Sequence, residues 1–110
     1  MSTDTTQAVL LGSQPGLSGY AVLGAVVREF RDKGYNSDRI PRVMRGDRCG
    51  INVRITKGVG LRVSCPIRGG DVTVEVVSGK QVLKDGKALA DTSGAAVVGL
   101  AQELLREASI

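Results

Sequence analysis

Three stretches of this chain alternate apolar and polar residues with a period of two. Ile51, Val53 and Ile55 point one way while Asn52, Arg54 and Thr56 point the other. Leu61, Val63, Cys65 and Ile67 oppose Arg62, Ser64 and Arg68, and Val72, Val74 and Val76 oppose Thr73 and Glu75. Such alternation, with β-branched residues on the apolar side, predicts an antiparallel sheet packed on one face only. Two other segments carry a helical period. From Gly16 to Lys33, Tyr20, Leu23, Val27 and Phe30 recur every three or four residues, and Gly34 follows as a C-cap. From Gly94 to Ala108, Val97, Leu100, Ala101, Leu104 and Ala108 share a face, with Asp91, Thr92 and Ser93 as N-cap candidates.

Parity then constrains the turns, because apolar positions must face apolar partners. A two-residue turn at Gly58-Val59 pairs odd positions with even ones and flips the face. A three-residue loop, Gly58 to Gly60, keeps Ile55 opposite Val63 and Val53 opposite Cys65, with Gly60 supplying the positive φ. A four-residue loop from Arg68 to Asp71 sets Ile67 opposite Val72 and Cys65 opposite Val74. Pro66 has no N–H to give a ladder, so pairing should fail near it. A weaker fourth strand is expected around Gln81 to Lys84, ended by an Asp85-Gly86 turn. The expected fold is α+β: a two-layer sandwich in the order α-β-β-β(-β)-α, an antiparallel meander with both helices on one face. Residues 1–15 read as a flexible leader, with Val9, Leu10 and Leu11 as a further edge-strand candidate, and 16–110 as a single domain. The helices share an Ala-Val-x-Gly pattern (Ala21 to Gly24, Ala96 to Gly99), so Gly24 and Gly99 are expected at a close helix–helix approach.

Composition narrows the chemistry. The chain of 110 residues has one Phe, two Tyr and no Trp, so its core must be built from Val, Leu, Ile and Ala. Histidine is absent, which removes the commonest general base, the commonest metal ligand and Ser-His or Cys-His activation of a nucleophile. Two cysteines alone do not close a structural zinc site. The glycines fit no phosphate-loop template. The expectation is a protein that is not an enzyme and holds no cofactor or metal. In the register above, Cys65 faces Val53, four positions from Cys49. That offset is roughly 13 Å at 3.3 Å per residue, beyond disulfide reach. Cys49, beside Arg48, is the one candidate for an exposed, reactive thiol. The polar opening residues do not resemble a secretory signal, and no apolar run approaches the roughly 20 residues of a membrane helix. No membrane contact and a cytoplasmic location are expected.

Charge is the strongest functional cue. Between Arg28 and Arg68 stand eleven basic residues and four acids, a net of +7, against −3 for the remainder and +4 overall. Part of this charge closes the first helix, where basic residues suit the dipole. Arg39, Arg42, Arg45 and Arg48 recur every third residue through a segment broken by Pro41, Gly46 and Gly50, which reads as a loop or extended edge. Arg45-Gly46-Asp47 reads as a turn before the first strand. Arg54 and Arg62 point to the sheet face that the helices leave open, with Glu75 and Val77. The candidate binding residues are therefore Arg42, Arg45, Arg48, Arg54 and Arg62, since arginine's planar fork suits carboxylate and phosphate alike.

The expected function is that of a small interaction module binding an acidic protein partner, as an adaptor, inhibitor or immunity-type protein. A nucleic-acid backbone is the alternative ligand, and homo-oligomeric assembly through the exposed sheet is a further alternative. The helix–three strands–helix order resembles double-stranded-RNA-binding domains in topology. Where those domains carry a Gly-Pro-x-His loop and a lysine cluster opening the last helix, this chain has Gly58-Val-Gly60 and Asp91-Thr-Ser-Gly94. Single-strand recognition is disfavoured because no aromatic ring stands at an outward strand position.

Overall fold

In a computed structural model, residues 18–90 and 92–108 are described. The expected leader and its Val9–Leu11 strand lie outside them. The chain runs α1 (Gly19–Asp32), β1 (Asn36–Ser37), β2 (Arg42–Val43), β3 (Arg48–Thr56), β4 (Val59–Pro66), β5 (Val72–Ser78), β6 (Gln81–Ala88) and α2 (Gly94–Glu107). The strands form one antiparallel sheet in the order β1-β3-β4-β5-β6, and β2 pairs with the same edge of β3 as β1. Both helices cover one face, α1 over β3 and β4, α2 over β5 and β6. The two-layer α+β sandwich expected from the alternation is the fold observed.

Each helix is set by local chemistry. The Ala21 N–H donates to Ser18 Oγ at 3.3 Å and the Ala96 N–H to Ser93 Oγ at 3.2 Å, each N-cap satisfying one otherwise orphaned amide. At the end of α1, Gly34 takes φ +88°. Its N–H donates to the Arg31 carbonyl at 3.0 Å, and that of Tyr35 to the Phe30 carbonyl at 2.9 Å. This is a Schellman closure, and its customary apolar clasp is present: the Phe30 and Tyr35 rings meet edge-to-face at 5.3 Å.

The apolar faces read from period two are the faces buried. Ile51, Val53, Leu61, Val63, Cys65, Val72, Val74 and Val76 meet Leu23, Val26, Phe30, Val97, Val98 and Ala101 in one core. The register differs from expectation. Val53 pairs with Leu61 and Ile51 with Val63, a slip of four residues, and Val63 rather than Cys65 pairs with Val74, a slip of two. Both slips are even, so every side chain keeps its face. The cause lies in the turn. Thr56 pairs with Val59 around a two-residue Lys57-Gly58 turn, with Gly58 at φ +84°, and a bulge between Arg54 and Thr56 absorbs the parity change. The extra residue is Ile55, which is only half-buried.

Pro66 behaves as its chemistry requires. The Ile67 N–H donates to the Asp47 carbonyl at 2.7 Å, so odd positions of β4 face β3 and even ones face β5. The missing N–H of Pro66 is therefore turned toward β5, and the β4–β5 ladder stops at Ser64–Thr73 while the β3–β4 ladder runs on to Arg48–Pro66. Two further expectations are corrected. Asp85-Gly86 is not a turn but the middle of β6, opposite Glu75 and Val74. Gly24 and Gly99 touch no neighbouring element; the close approach between helices is at Gly94, where a Cβ would lie 2.9 Å from the Ala25 carbonyl oxygen.

Candidate binding surface

The open face of the sheet is assembled from the even positions of β3 and β4 and their partners. One cross-strand row runs Asn52, Arg62, Glu75, Asp85; a second runs Gly50, Ser64, Thr73, Lys87; a third runs Arg54, Gly60, Val77, Val82. The expected placement of Arg54 and Arg62 on this face is what the register gives.

The arginine segment before β3 is neither a loose loop nor a helix. Arg42 and Val43 pair with Gly50 and Cys49, and the Met44 N–H donates to the Arg48 carbonyl at 2.8 Å, making a hairpin whose turn is Arg45-Gly46-Asp47. Register puts Arg42, Met44 and Arg48 on the open face, while Arg45 stands at the turn. The Met44 side chain lies over Gly50, filling the space a Cβ would need there. Ser64, on the strand position opposite Gly50, is buried although it belongs to the outward set, its hydroxyl held by the Arg48 guanidinium.

Electrostatics divides the five arginines. Arg62 Nε donates to Glu75 Oε1 at 2.8 Å, so its charge is largely matched across the strand pair. Arg48 is half-buried and donates to Ser64 Oγ at 3.1 Å and Thr73 Oγ1 at 3.4 Å. These neutral hydroxyls orient its guanidinium without cancelling its charge. Arg42, Arg45 and Arg54 are exposed, and among the described residues no carboxylate lies within 4.0 Å of them. Asp38 is engaged otherwise: its carboxylate accepts the Asn52 N–H at 2.9 Å. By register Arg42, Arg48, Arg54 and Arg62 stand on the open face and Arg45 at the turn, with the row of paired Arg62 lying between Arg54 and the hairpin arginines.

The hairpin also exposes apolar side chains. Ile40 is 67% exposed, Val43 61% and Met44 39%; Val43, opposite Cys49, stands on the helix side of the sheet, away from Arg42 and Met44. Attention to arginine alone passed over these three, although they occupy the spaces between Arg39, Arg42 and Arg45. The β6 edge at the other side of the sheet carries Lys84, Asp85 and Lys87, charges that blunt strand addition.

Cys49 is not an exposed thiol. It and Cys65 are both fully buried on the helix side of the sheet. Burial pushes the Cys49 thiol above its ordinary value against the pull of Cys65 and Arg48, and pushes Cys65 up to about 12. Among the described residues no helix is long and apolar enough to cross a membrane. No protein-family model, curated protein or solved structure matches this chain.

Proposed function

We propose that the protein is a binding module, not an enzyme, whose arginine hairpin and adjoining open sheet face engage an acidic protein partner. The observation that carries this reading is the exposure of Ile40 and Met44 among Arg39, Arg42 and Arg45. A phosphate backbone is bound through charge and hydrogen bonds and gains nothing from branched aliphatic side chains. A protein interface uses both: apolar anchors excluded from water, with arginines meeting carboxylates around them.

The discriminating experiment compares two hairpin variants. Arg42→Glu with Arg45→Glu reverses charge and weakens any polyanion. Ile40→Ser removes exposed apolar area and leaves the charge intact. With a protein ligand, affinity capture after crosslinking returns one dominant acidic partner, and both variants lose it. Tight, steeply salt-dependent binding to arbitrary duplex that survives Ile40→Ser would overturn the proposal in favour of nucleic acid. Light scattering that finds a stable self-assembled species, broken by the same variants, would replace the foreign partner with a second copy.

A further inference from the structure

Cys49 and Cys65 are direct cross-strand partners in the β3–β4 ladder, on the same face. We propose that this pair is a modification site: in the folded protein the two thiols join as an intramolecular disulfide under a small peroxide, and a small thiol reopens it. The Ile67 N–H donates to the Asp47 carbonyl, which fixes Cys49 and Cys65 as a hydrogen-bonded pair. Such pairs stand about 5.5 Å apart at Cα, at the commonest disulfide separation of roughly 5.5–6 Å. The Cys49 thiol donates to the Cys65 carbonyl at 3.7 Å, so its sulfur already lies over its partner residue.

Reversibility follows from the same ladder. Directly opposed Cβ atoms sit about 4.5–5.5 Å apart, whereas a bridge averages about 3.8 Å. Closing the bond draws the strands together and leaves it strained, and strained disulfides are the readily reduced ones. Access is governed by the start of α1. The Cys65 thiol donates to the Gly19 carbonyl at 3.6 Å, and the Gly19 N–H is in turn held by the Ile67 carbonyl at 2.7 Å. The peroxide reaches sulfur when this first turn lifts, a local opening rather than global unfolding.

The chemistry balances in two steps. Once the opening exposes it to water, Cys49 loses its proton and attacks one peroxide oxygen; the O–O bond breaks, water leaves, and Cys49 becomes a sulfenic acid. The Cys65 sulfur then attacks the Cys49 sulfur, the S–O bond breaks, and a second water carries off the oxygen with the Cys65 proton. Two thiols are oxidised and one peroxide is reduced to two waters. The bridged protein no longer has the thiol proton that the Gly19 carbonyl accepts.

The test treats the native chain with hydrogen peroxide, quenches in acid, denatures with an alkylating agent and maps the peptides, so that sulfoxide at exposed Met44 is not mistaken for thiol chemistry. The expected product is a Cys49–Cys65 peptide about 2 Da lighter than its dithiol, unalkylated and restored by glutathione. Amide exchange should stay slow in β3 and β4 and quicken at Gly19. In Cys65→Ala, Cys49 should instead carry added oxygen. Two alkylated cysteines, sulfinic acid at Cys49 in the native sequence, or a bridge that appears only as β3 and β4 lose protection would each overturn the proposal.

Discussion

Gly19 and Gly24 both lie in α1, five residues apart, and substitution by alanine should move stability in opposite directions. A Cβ on Gly19 would overlap the Pro66 carbonyl oxygen and lie 2.9 Å from Cys49 Sγ. Neither neighbour is the free end of a flexible side chain. One is backbone at the end of β4, the other a fully buried core atom. Overpacking of this kind costs about 1–3 kcal/mol. Retreat of the helix start also endangers the 2.7 Å bond from Gly19 to Ile67, worth about 1 kcal/mol. The expected loss for Gly19→Ala is therefore about 2–4 kcal/mol, a fall in Tm on the order of 10 °C or more. At Gly24 nothing stands within 4 Å of the added carbon. There alanine gains its helix propensity over glycine, roughly 0.8–1 kcal/mol. Urea titration of the two variants should place their midpoints on either side of the wild type, separated by about 1 M or more. A Gly19→Ala protein within about 0.5 kcal/mol of wild type, the scatter of neutral surface changes, would refute the described docking of α1 on the end of β4.

Three other outcomes are expected. Phe30→Ala removes a fully buried ring and its edge-to-face contact with Tyr35, which should cost about 3–5 kcal/mol, seen as a lowered urea midpoint. Stability should also fall at alkaline pH. The folded Cys65 thiol titrates near 12 against an ordinary 9.0, so between these values only the unfolded chain releases the proton. The stabilisation is complete below pH 9 and is lost as pH rises toward 12, by up to about 1.4 kcal/mol per unit. Parallel stability curves for wild type and Cys65→Ala across that window would contradict this. Finally, Glu75→Gln breaks a pair whose arginine is over a third exposed, so stability should change by less than about 1 kcal/mol. Released Arg62 should then strengthen binding to an acidic partner, measured by titration calorimetry, and weakened binding would count against the open face as part of the site.

What could be read from the chain followed the strength of its periodicities. Ile51, Val53, Leu61, Val63 and the Val72-Val74-Val76 run alternate without a break, and all are buried on the predicted side. The two-residue strands β1 and β2 are too short to show any alternation. They exist because β3 offers them an edge, a tertiary cause invisible in Asn36–Ser37 or Arg42–Val43 themselves. The middle of β6 reads as a turn because Asp85-Gly86 is a strong turn dipeptide. In the structure Gly86 faces Leu100 and Leu104 of α2, where a Cβ would meet their methyl groups at 3.4 Å, ordinary contact.

Register was the costlier loss, because register rather than face decides which chemical groups meet. Parity arguments are blind to even slips: a shift of four residues leaves every valine in the core and every arginine outside. Yet it exchanges Val53 for Cys49 opposite Cys65, turning two thiols expected to lie far apart into facing partners. The same slip carries the ladder back to Arg48–Pro66, and with β2 this draws Arg42 and Arg48 onto the face that Arg54 and Arg62 already occupy. The tighter turn accounts for three of those residues and the bulged Ile55 for the fourth. Nothing in Arg54-Ile55-Thr56 marks it, since Ile55 continues the apolar alternation. The bulge is selected by Lys57-Gly58, whose two-residue turn fits the strand twist and whose parity change has to be absorbed within a residue or two. Which arginines face outward was thus legible in the sequence, while which residues stand opposite one another was set by a turn whose effect is felt eight residues away.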